Sequence, residues 1–223
     1  MSDGGRAVSG GPVGTVVKIC GLTRLEDARW ALHCGADWLG FIGHGESPRA
    51  IDADRAGEIV AALPGATAVA VMVSPRPDQA LALATRSGAR RVQLHRTDPG
   101  AWPRDFPLPC AFVVGVGEDG APVSALPEER HLLMLDAAHP TLAGGTGRSF
   151  PWGAARALAA RRPVMLAGGL WGENVAAAIE AARPFAVDAS SRLERLPGVK
   201  DPEQVRRFVA AVRECDERIR DHA

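Results

Sequence analysis

The chain has 223 residues, with 26 Lys plus Arg against 26 Asp plus Glu, and so carries no formal net charge at neutral pH. A balanced chain has no global field with which to gather nucleic acid or an anionic membrane surface, so partners must be read from local sites. Four cysteines, Cys20, Cys34, Cys110 and Cys215, stand far apart with no CxxC pair, which argues against a zinc site or a disulfide scaffold and fits a reducing compartment.

Residues 1–15, "MSDGGRAVSGGPVGT", are rich in Gly and Ser and lack the apolar stretch of a signal peptide, so they read as a disordered leader. No later run approaches the ~18 apolar residues of a membrane span. The expectation is a soluble, cytoplasmic protein. From residue 16 to 223, short apolar runs alternate with Ala-, Leu- and Arg-rich stretches of helical period, the pattern of parallel strands joined by crossover helices. The strand candidates are "TVVKIC" (15–20), "WLGFIG" (38–43), "TAVAVMV" (67–73), "RRVQLH" (90–95), "CAFVVGV" (110–116), "HLLMLD" (131–136), "PVMLAG" (163–168) and "FAVDAS" (185–190). Near-continuous apolar strands suit a sheet covered on both faces. Eight such units point to one α/β domain, a (β/α)8 TIM barrel, rather than an open doubly wound sheet. Between the fifth and sixth strands, "GEDGAPVSALPEER" is too short and Pro-rich for a full helix, so the barrel should be irregular there. Thr23 and Glu26 have capping-box spacing, and Asp201, Pro202 and Gln204 set out a cap, an N1 proline and an N3 amide.

In such a barrel chemistry belongs at the carboxyl ends of the strands. Cys20, His95 and Asp136 end the first, fourth and sixth strands, and Asp188 lies near the end of the eighth. Ser47 and Arg49 sit in the loop after the second. Two Gly-Gly loops follow the sixth and seventh, at Gly144–Gly145 and Gly168–Gly169. Glycines there let the backbone approach phosphate oxygens, although a tight turn alone would use them equally well.

These residues lie in motifs that together resemble the phosphoribosylanthranilate isomerase family of tryptophan biosynthesis. "VKICGLTRLEDA", "GADWLGFI" with "SPRAI", "VQLH", "LLMLDA" with "GGTG" and "FPW", "LAGGLWGENV", and "VDASS" with "PGVKDPEQV" occur in the family's order, from about Val16 to Val209. The resemblance implies an Amadori rearrangement of N-(5-phosphoribosyl)anthranilate to 1-(2-carboxyphenylamino)-1-deoxyribulose 5-phosphate, with no cofactor and no metal. It implies Cys20 as general base, Asp136 as general acid and Arg49 as partner of the anthranilate carboxylate. His95 and Asp188 are further substrate-binding candidates. Gly144, Gly145, Gly168, Gly169, Ser190, Ser191 and Arg192 are the candidates for the phosphate. Nucleic acid and membrane are not expected partners, and either a monomer or a homodimer is compatible.

The residue types suit that chemistry. Opening a ribose ring needs a proton delivered to the ring oxygen, and then a base to remove the proton from the adjacent carbon. An aspartate serves as the acid only if burial or substrate contacts raise its pKa, whereas a cysteine base gains from a neighbouring cation that lowers its own. A planar guanidinium matches a carboxylate through two hydrogen bonds. Each residue also has a plainer reading: cysteine as a small buried hydrophobe, Asp136 as a turn cap, Arg49 as a solvated charge, His95 as an ordinary strand end, and Asp188 as a brace for the next loop. Cys34, Cys110 and Cys215 keep that structural reading. Gly43, His44 and Gly45 stand where the family carries bulkier residues, and Arg96 and Arg192 replace usual glycines. Arg192 could contact phosphate directly or distort its nest. Two alternatives remain at this point: a related phosphosugar isomerase on the same barrel, which would carry two catalytic aspartates and no Cys20, and a binding homologue without turnover.

Overall fold

A computed structural model of the chain describes residues 14–43, 45–137 and 150–222. The apolar runs form eight parallel strands: β1 (Val16–Cys20), β2 (Trp38–Ile42), β3 (Thr67–Val73), β4 (Arg91–His95), β5 (Cys110–Val116), β6 (Leu132–Ala137), β7 (Val164–Leu166) and β8 (Ala186–Ala189). Each pairs with the next and β8 pairs with β1, so the barrel closes and no strand is left as an edge. Most strands match their expected spans within a residue, but β7 keeps only Val164–Leu166, because Gly168 and Gly169 turn the chain away at positive φ.

Alternation along the strands divides the core in two. Val17 and Ile19 of β1, Leu133 and Leu135 of β6 and Val187 of β8 face the helices and join the larger apolar cluster. Val16 and Cys20, Met134, and Ala186 face inward and join a smaller cluster inside the barrel. Each fully buried Leu, Ile or Val contributes about 1.5–3 kcal/mol, so the outer layer carries most of the apolar stabilisation. Trp38 fills the amino-terminal end of the barrel, with the Arg91 guanidinium stacked over its ring at 4.4 Å.

The helices are α1 (Leu25–His33), α2 (Ala53–Ala61), α3 (Pro77–Arg86), α4 (Arg156–Ala159), α5 (Val175–Ala182) and α6 (Pro202–Asp221). As expected, no helix joins β5 to β6. The β4–β5 crossover is also irregular: four prolines, at 99, 103, 107 and 109, leave only a 3-10 turn over Pro99–Ala101. Trp102 is buried there in an edge contact with Phe106, centroids 5.0 Å apart, and takes the space a helix would have filled.

Two expectations about chain ends need correction. Thr23 does not cap α1, whose N-cap is Arg24 without a side-chain bond; its hydroxyl donates instead to the Gly198 carbonyl at 2.6 Å. The leader expected over 1–15 lies mostly outside the described residues, but Thr15 is buried and fixed. Its N–H and hydroxyl donate to the Asp216 carboxylate of α6, at 2.8 and 2.7 Å. Asp201 does cap α6 as expected, accepting from the N–H groups of Glu203 and Gln204.

Arg183 ends α5 in the left-handed region, φ 51°, with its N–H donated to the Ile179 carbonyl at 2.8 Å and Pro184 next in the chain. That cap conformation suits glycine, and the Arg183 side chain is exposed. Arg183→Gly should raise the unfolding free energy by about 0.5–1 kcal/mol in urea titrations. An unchanged or lower value would mean that the cap stores no strain.

Candidate active site

The inward positions at the carboxyl ends of the strands gather polar groups. On β1 the alternation that turns Cys20 inward also turns Lys18 inward, one pleat deeper and fully buried. Asp188 of β8 is the direct partner of Lys18 in the strand register, and Lys18 Nζ donates to its Oδ1 at 2.7 Å. Asp136 of β6 is 6% exposed, and its Oδ1 accepts no hydrogen bond among the described residues. Gly40 of β2 pairs with Cys20. A Cβ there would lie 2.8 Å from Cys20 Sγ and 3.0 Å from Lys18 Nζ, so the missing side chain is what lets sulfur and ammonium share one space.

Electrostatics separates the acid from the base. Burial raises the Asp136 carboxyl to about 7; Asp188 adds to the rise, while the Ala137 N–H and Lys18 oppose it. An oxygen without a donor is what a protonated carboxyl tolerates. Burial also pushes the Cys20 thiol above its ordinary range, and Asp188 adds to that; Lys18 and Lys200 pull the other way without overcoming it. The depressed thiol pKa expected from the sequence is therefore absent. Burial works against the charge of Lys18, but Asp188 and Cys20 outweigh it and hold the ammonium above the ordinary lysine value.

The rim beside Cys20 is built by a hairpin that sequence reading did not foresee, β9 (Glu194–Leu196) with β10 (Val199–Lys200). Glu194 accepts from Arg49 Nε at 3.0 Å and from Lys200 Nζ at 2.7 Å. Lys200 also donates to the Ser190 carbonyl at 3.2 Å, and Ser190 Oγ donates to the Cys20 carbonyl at 3.0 Å. One edge of the Arg49 guanidinium is thus anchored. Burial lowers the Lys200 pKa, with Glu194 opposing.

Asp136, Asp188, Gly168, Gly169, Ser190, Ser191 and Arg192 line one cavity at the mouth of the barrel. Gly168 and Gly169 hold φ of 85° and 64°, a pair of conformations that glycine alone adopts without strain. Asn174 braces their loop, accepting from the Trp171 N–H at 2.8 Å and donating to the Gly169 carbonyl at 3.0 Å. Arg192 lies in the 3-10 turn Ser191–Leu193, outside the left-handed region, so its backbone conformation does not call for glycine. Arg96 differs: its φ is 49°, the reason glycine suits that position. The direction in which a Cβ would extend from Gly43 is taken by Leu83 of α3, whose Cδ1 would be 2.3 Å away. His95 stands on the opposite wall, with its Nε2 3.0 Å from Gln93 Nε2, and does not line the cavity. Gly144, Gly145 and His44 lie outside the described residues.

Sequence reading missed Lys18, Gly40, Glu194 and Lys200. The signal for Lys18 was present: a lysine inside an apolar strand, two residues before Cys20, has to share its face. Glu194 and Lys200 carried no such mark, because a short hairpin between strand and helix has no periodicity to read. Among the described residues no His, Cys, Asp and Glu cluster could hold a metal ion, and no helix is long and apolar enough to cross a membrane.

The family model of N-(5'phosphoribosyl)anthranilate (PRA) isomerase matches residues 17–211. A relative from Acidithiobacillus ferrooxidans, named N-(5'-phosphoribosyl)anthranilate isomerase, is 42% identical over 200 residues, covering 88% of this chain and 97% of its own. The solved structure of monomers made from the dimeric phosphoribosylanthranilate isomerase of Thermotoga maritima has a TM-score of 0.76 at 32% identity, covering 90% of this chain and 99% of that one. A phosphoribosyl anthranilate isomerase in complex with reduced 1-(o-carboxyphenylamino)-1-deoxyribulose 5-phosphate superposes with a TM-score of 0.74 at 30% identity, with coverage of 90% and 99%.

The raised carboxyl has a consequence for stability. The folded pKa of Asp136, about 7, exceeds its unfolded value of 3.8, so folded protein holds the extra proton between them. Ionising Asp136 therefore costs stability as pH rises through that window, and the cost is absent below it. Asp136→Asn should be more favourable to stability at pH 8 than at pH 4, by on the order of 3 kcal/mol, in paired denaturant titrations. Equal effects at both pH values would show a normal carboxyl.

Proposed function

The chain belongs to the N-(5'-phosphoribosyl)anthranilate isomerase family, and from that membership we propose how its residues divide the reaction. The protein is an isomerase of tryptophan biosynthesis that rearranges N-(5-phosphoribosyl)anthranilate to 1-(2-carboxyphenylamino)-1-deoxyribulose 5-phosphate. Asp136 gives its proton to the ribose ring oxygen, which opens the ring and leaves an iminium at the anomeric carbon. Cys20, as thiolate, takes the proton from the adjacent carbon, and the resulting enol-amine rearranges to the ketose. The observation that carries this assignment is the buried Asp136 carboxyl, protonated up to about pH 7 and free of donors to its Oδ1 among the described residues.

The glycine loop at 168–169, with Ser190, Ser191 and Arg192, takes the phosphate; positive-φ glycines expose backbone N–H groups, and Arg192 adds a charge-assisted contact. The sequence motif extends the phosphate assignment to Gly144 and Gly145. Arg49, held along one edge by Glu194, offers its other edge to the anthranilate carboxylate. Asp188 and His95 contact the sugar hydroxyls from opposite walls. The reaction needs no cofactor and no metal, because both proton transfers fall to side chains. We place the enzyme in the cytoplasm, as a monomer or a homodimer, with the dimeric Thermotoga relative favouring the second.

Two measurements test the assignment. Cys20→Ala and Asp136→Asn should each lower kcat by at least about a hundredfold while circular dichroism stays unchanged; retention of a tenth of the activity refutes the role of that residue. The free-enzyme pH profile follows from the inverted pKa values, with the acid near 7 and the base above the ordinary thiol range. The reactive form, protonated Asp136 with ionised Cys20, is then a minor population whose pH dependence matches that of the majority form. kcat/KM should rise as pH passes about 7, reach a plateau, and fall only as the thiol titrates. A fall beginning near pH 7 would contradict this order.

A further inference from the structure

The inverted pKa values leave the base a problem. A buried thiol flanked by the Asp188 carboxylate yields little thiolate unless a cation is fixed against the sulfur. Two cations approach Cys20. Lys200 reaches in from β10, but it is already committed to Glu194 at 2.7 Å and to the Ser190 carbonyl. Lys18 lies on the same strand and the same face as the sulfur, fully buried, and is held from the other side by Asp188 at 2.7 Å.

Gly40 makes the arrangement possible, since both Lys18 Nζ and Cys20 Sγ lie within 3.0 Å of the point where its Cβ would stand. Any larger residue at that point would separate them. We propose that Lys18 is a positioning residue for the base: its ammonium, seated between the Cys20 sulfur and the Asp188 carboxylate in the space left by Gly40, stabilises the thiolate form of Cys20 and so enlarges the reactive population. This rests on the assignment of Cys20 as base, although the contact itself does not.

The proton accounting is closed. Before substrate enters, the thiol gives up its proton to solvent and Asp136 takes one up from it; Lys18 stays protonated throughout, and in the reaction Asp136 gives its proton to the ring oxygen while the thiolate regains one from the substrate carbon. The charged groups facing the sulfur are Lys18 on its own strand, Asp188 from β8 and Lys200 from β10, with Asp136 of β6 beyond Lys18; β2 contributes only Gly40. Lys18 is the one cation among these that neutralises both Asp188 and the thiolate. Asp188 therefore orients Lys18 at some cost to the base, because its own charge disfavours thiolate.

The test reads the thiolate directly by its ultraviolet absorption, titrated with pH in the wild-type protein and in Lys18→Met, each corrected with the matching Cys20→Ser protein. The chain contains no tyrosine, so no phenolate band overlaps the titration. Lys18→Met should move the Cys20 midpoint up by at least about one pH unit, and the kcat/KM plateau should fall by about tenfold per unit. An unmoved midpoint in a folded Lys18→Met protein overturns the proposal. If burying Asp188 alone prevents folding, Lys18→Met with Asp188→Asn is compared with Asp188→Asn; the double variant should titrate higher, and equal midpoints overturn the proposal. A wild-type protein that fails to turn over the substrate while Lys18→Met still shifts the midpoint would sink the assignment of Cys20 and leave the Lys18 contact standing.

Discussion

The ion pair between Lys18 and Asp188 sits on the seam where the eighth strand meets the first, and the arrangement of the site depends on it. Two isolated charges inside an apolar barrel would each cost several kcal/mol in lost hydration, and removing one partner of such a pair typically costs about 3–5 kcal/mol. The pair is stable because it is matched in strand register and because other polar groups surround it. Burial holds the proton on Asp136 and the Asp188 charge adds to that hold, while Cys20 has Lys18 beside it. One buried pair thus acts on both groups that exchange protons with the substrate, its carboxylate favouring the proton on Asp136 and its ammonium favouring the thiolate of Cys20. A fully apolar seam would hold the strands together equally well, but it would leave the carboxyl and the thiol without these neighbouring charges.

The hairpin β9–β10 performs a second, outer version of the same arrangement. Glu194 stands between two cations, Arg49 and Lys200, and so fixes both at the rim. Their side chains come from the loop after β2 and from the approach to α6, and Glu194 ties the two segments together. Thr23 secures the hairpin turn through the Gly198 carbonyl, and Asp27 of α1 accepts the Lys200 N–H at 3.0 Å. The first helix thereby positions the last part of the site.

The barrel was legible because each strand is a short apolar run bounded by glycine, proline or charge, and because eight such runs leave few topologies open. Cys20, Asp136 and Asp188 were legible as polar residues at the ends of those runs. Alternation alone would have added Lys18, since residues 18 and 20 of one strand share a face. The crossover from β4 to β5 was not legible as irregular until its four prolines were seen to leave room for Trp102. Thr23 misled because capping-box spacing is a local pattern, and its hydroxyl found a carbonyl 175 residues away instead. Arg192 and Arg96 read alike in sequence, as arginines for glycines, yet only Arg96 occupies a glycine's backbone conformation. Sequence could not separate them because φ is set by the loop, not by the residue replaced.

The clasp of Thr15 by Asp216 joins positions 201 residues apart. Long closures of this kind are paid in chain entropy before they return any contact energy. Until β8 and α6 have been synthesised, Lys18 has no carboxylate and Cys20 no settled neighbour, so a nascent chain carries an ordinary thiol. Only the closed ring buries the sulfur and sets Lys18 against it, so folding exchanges an exposed thiol that ionises readily for a sheltered one whose thiolate depends on a single fixed cation.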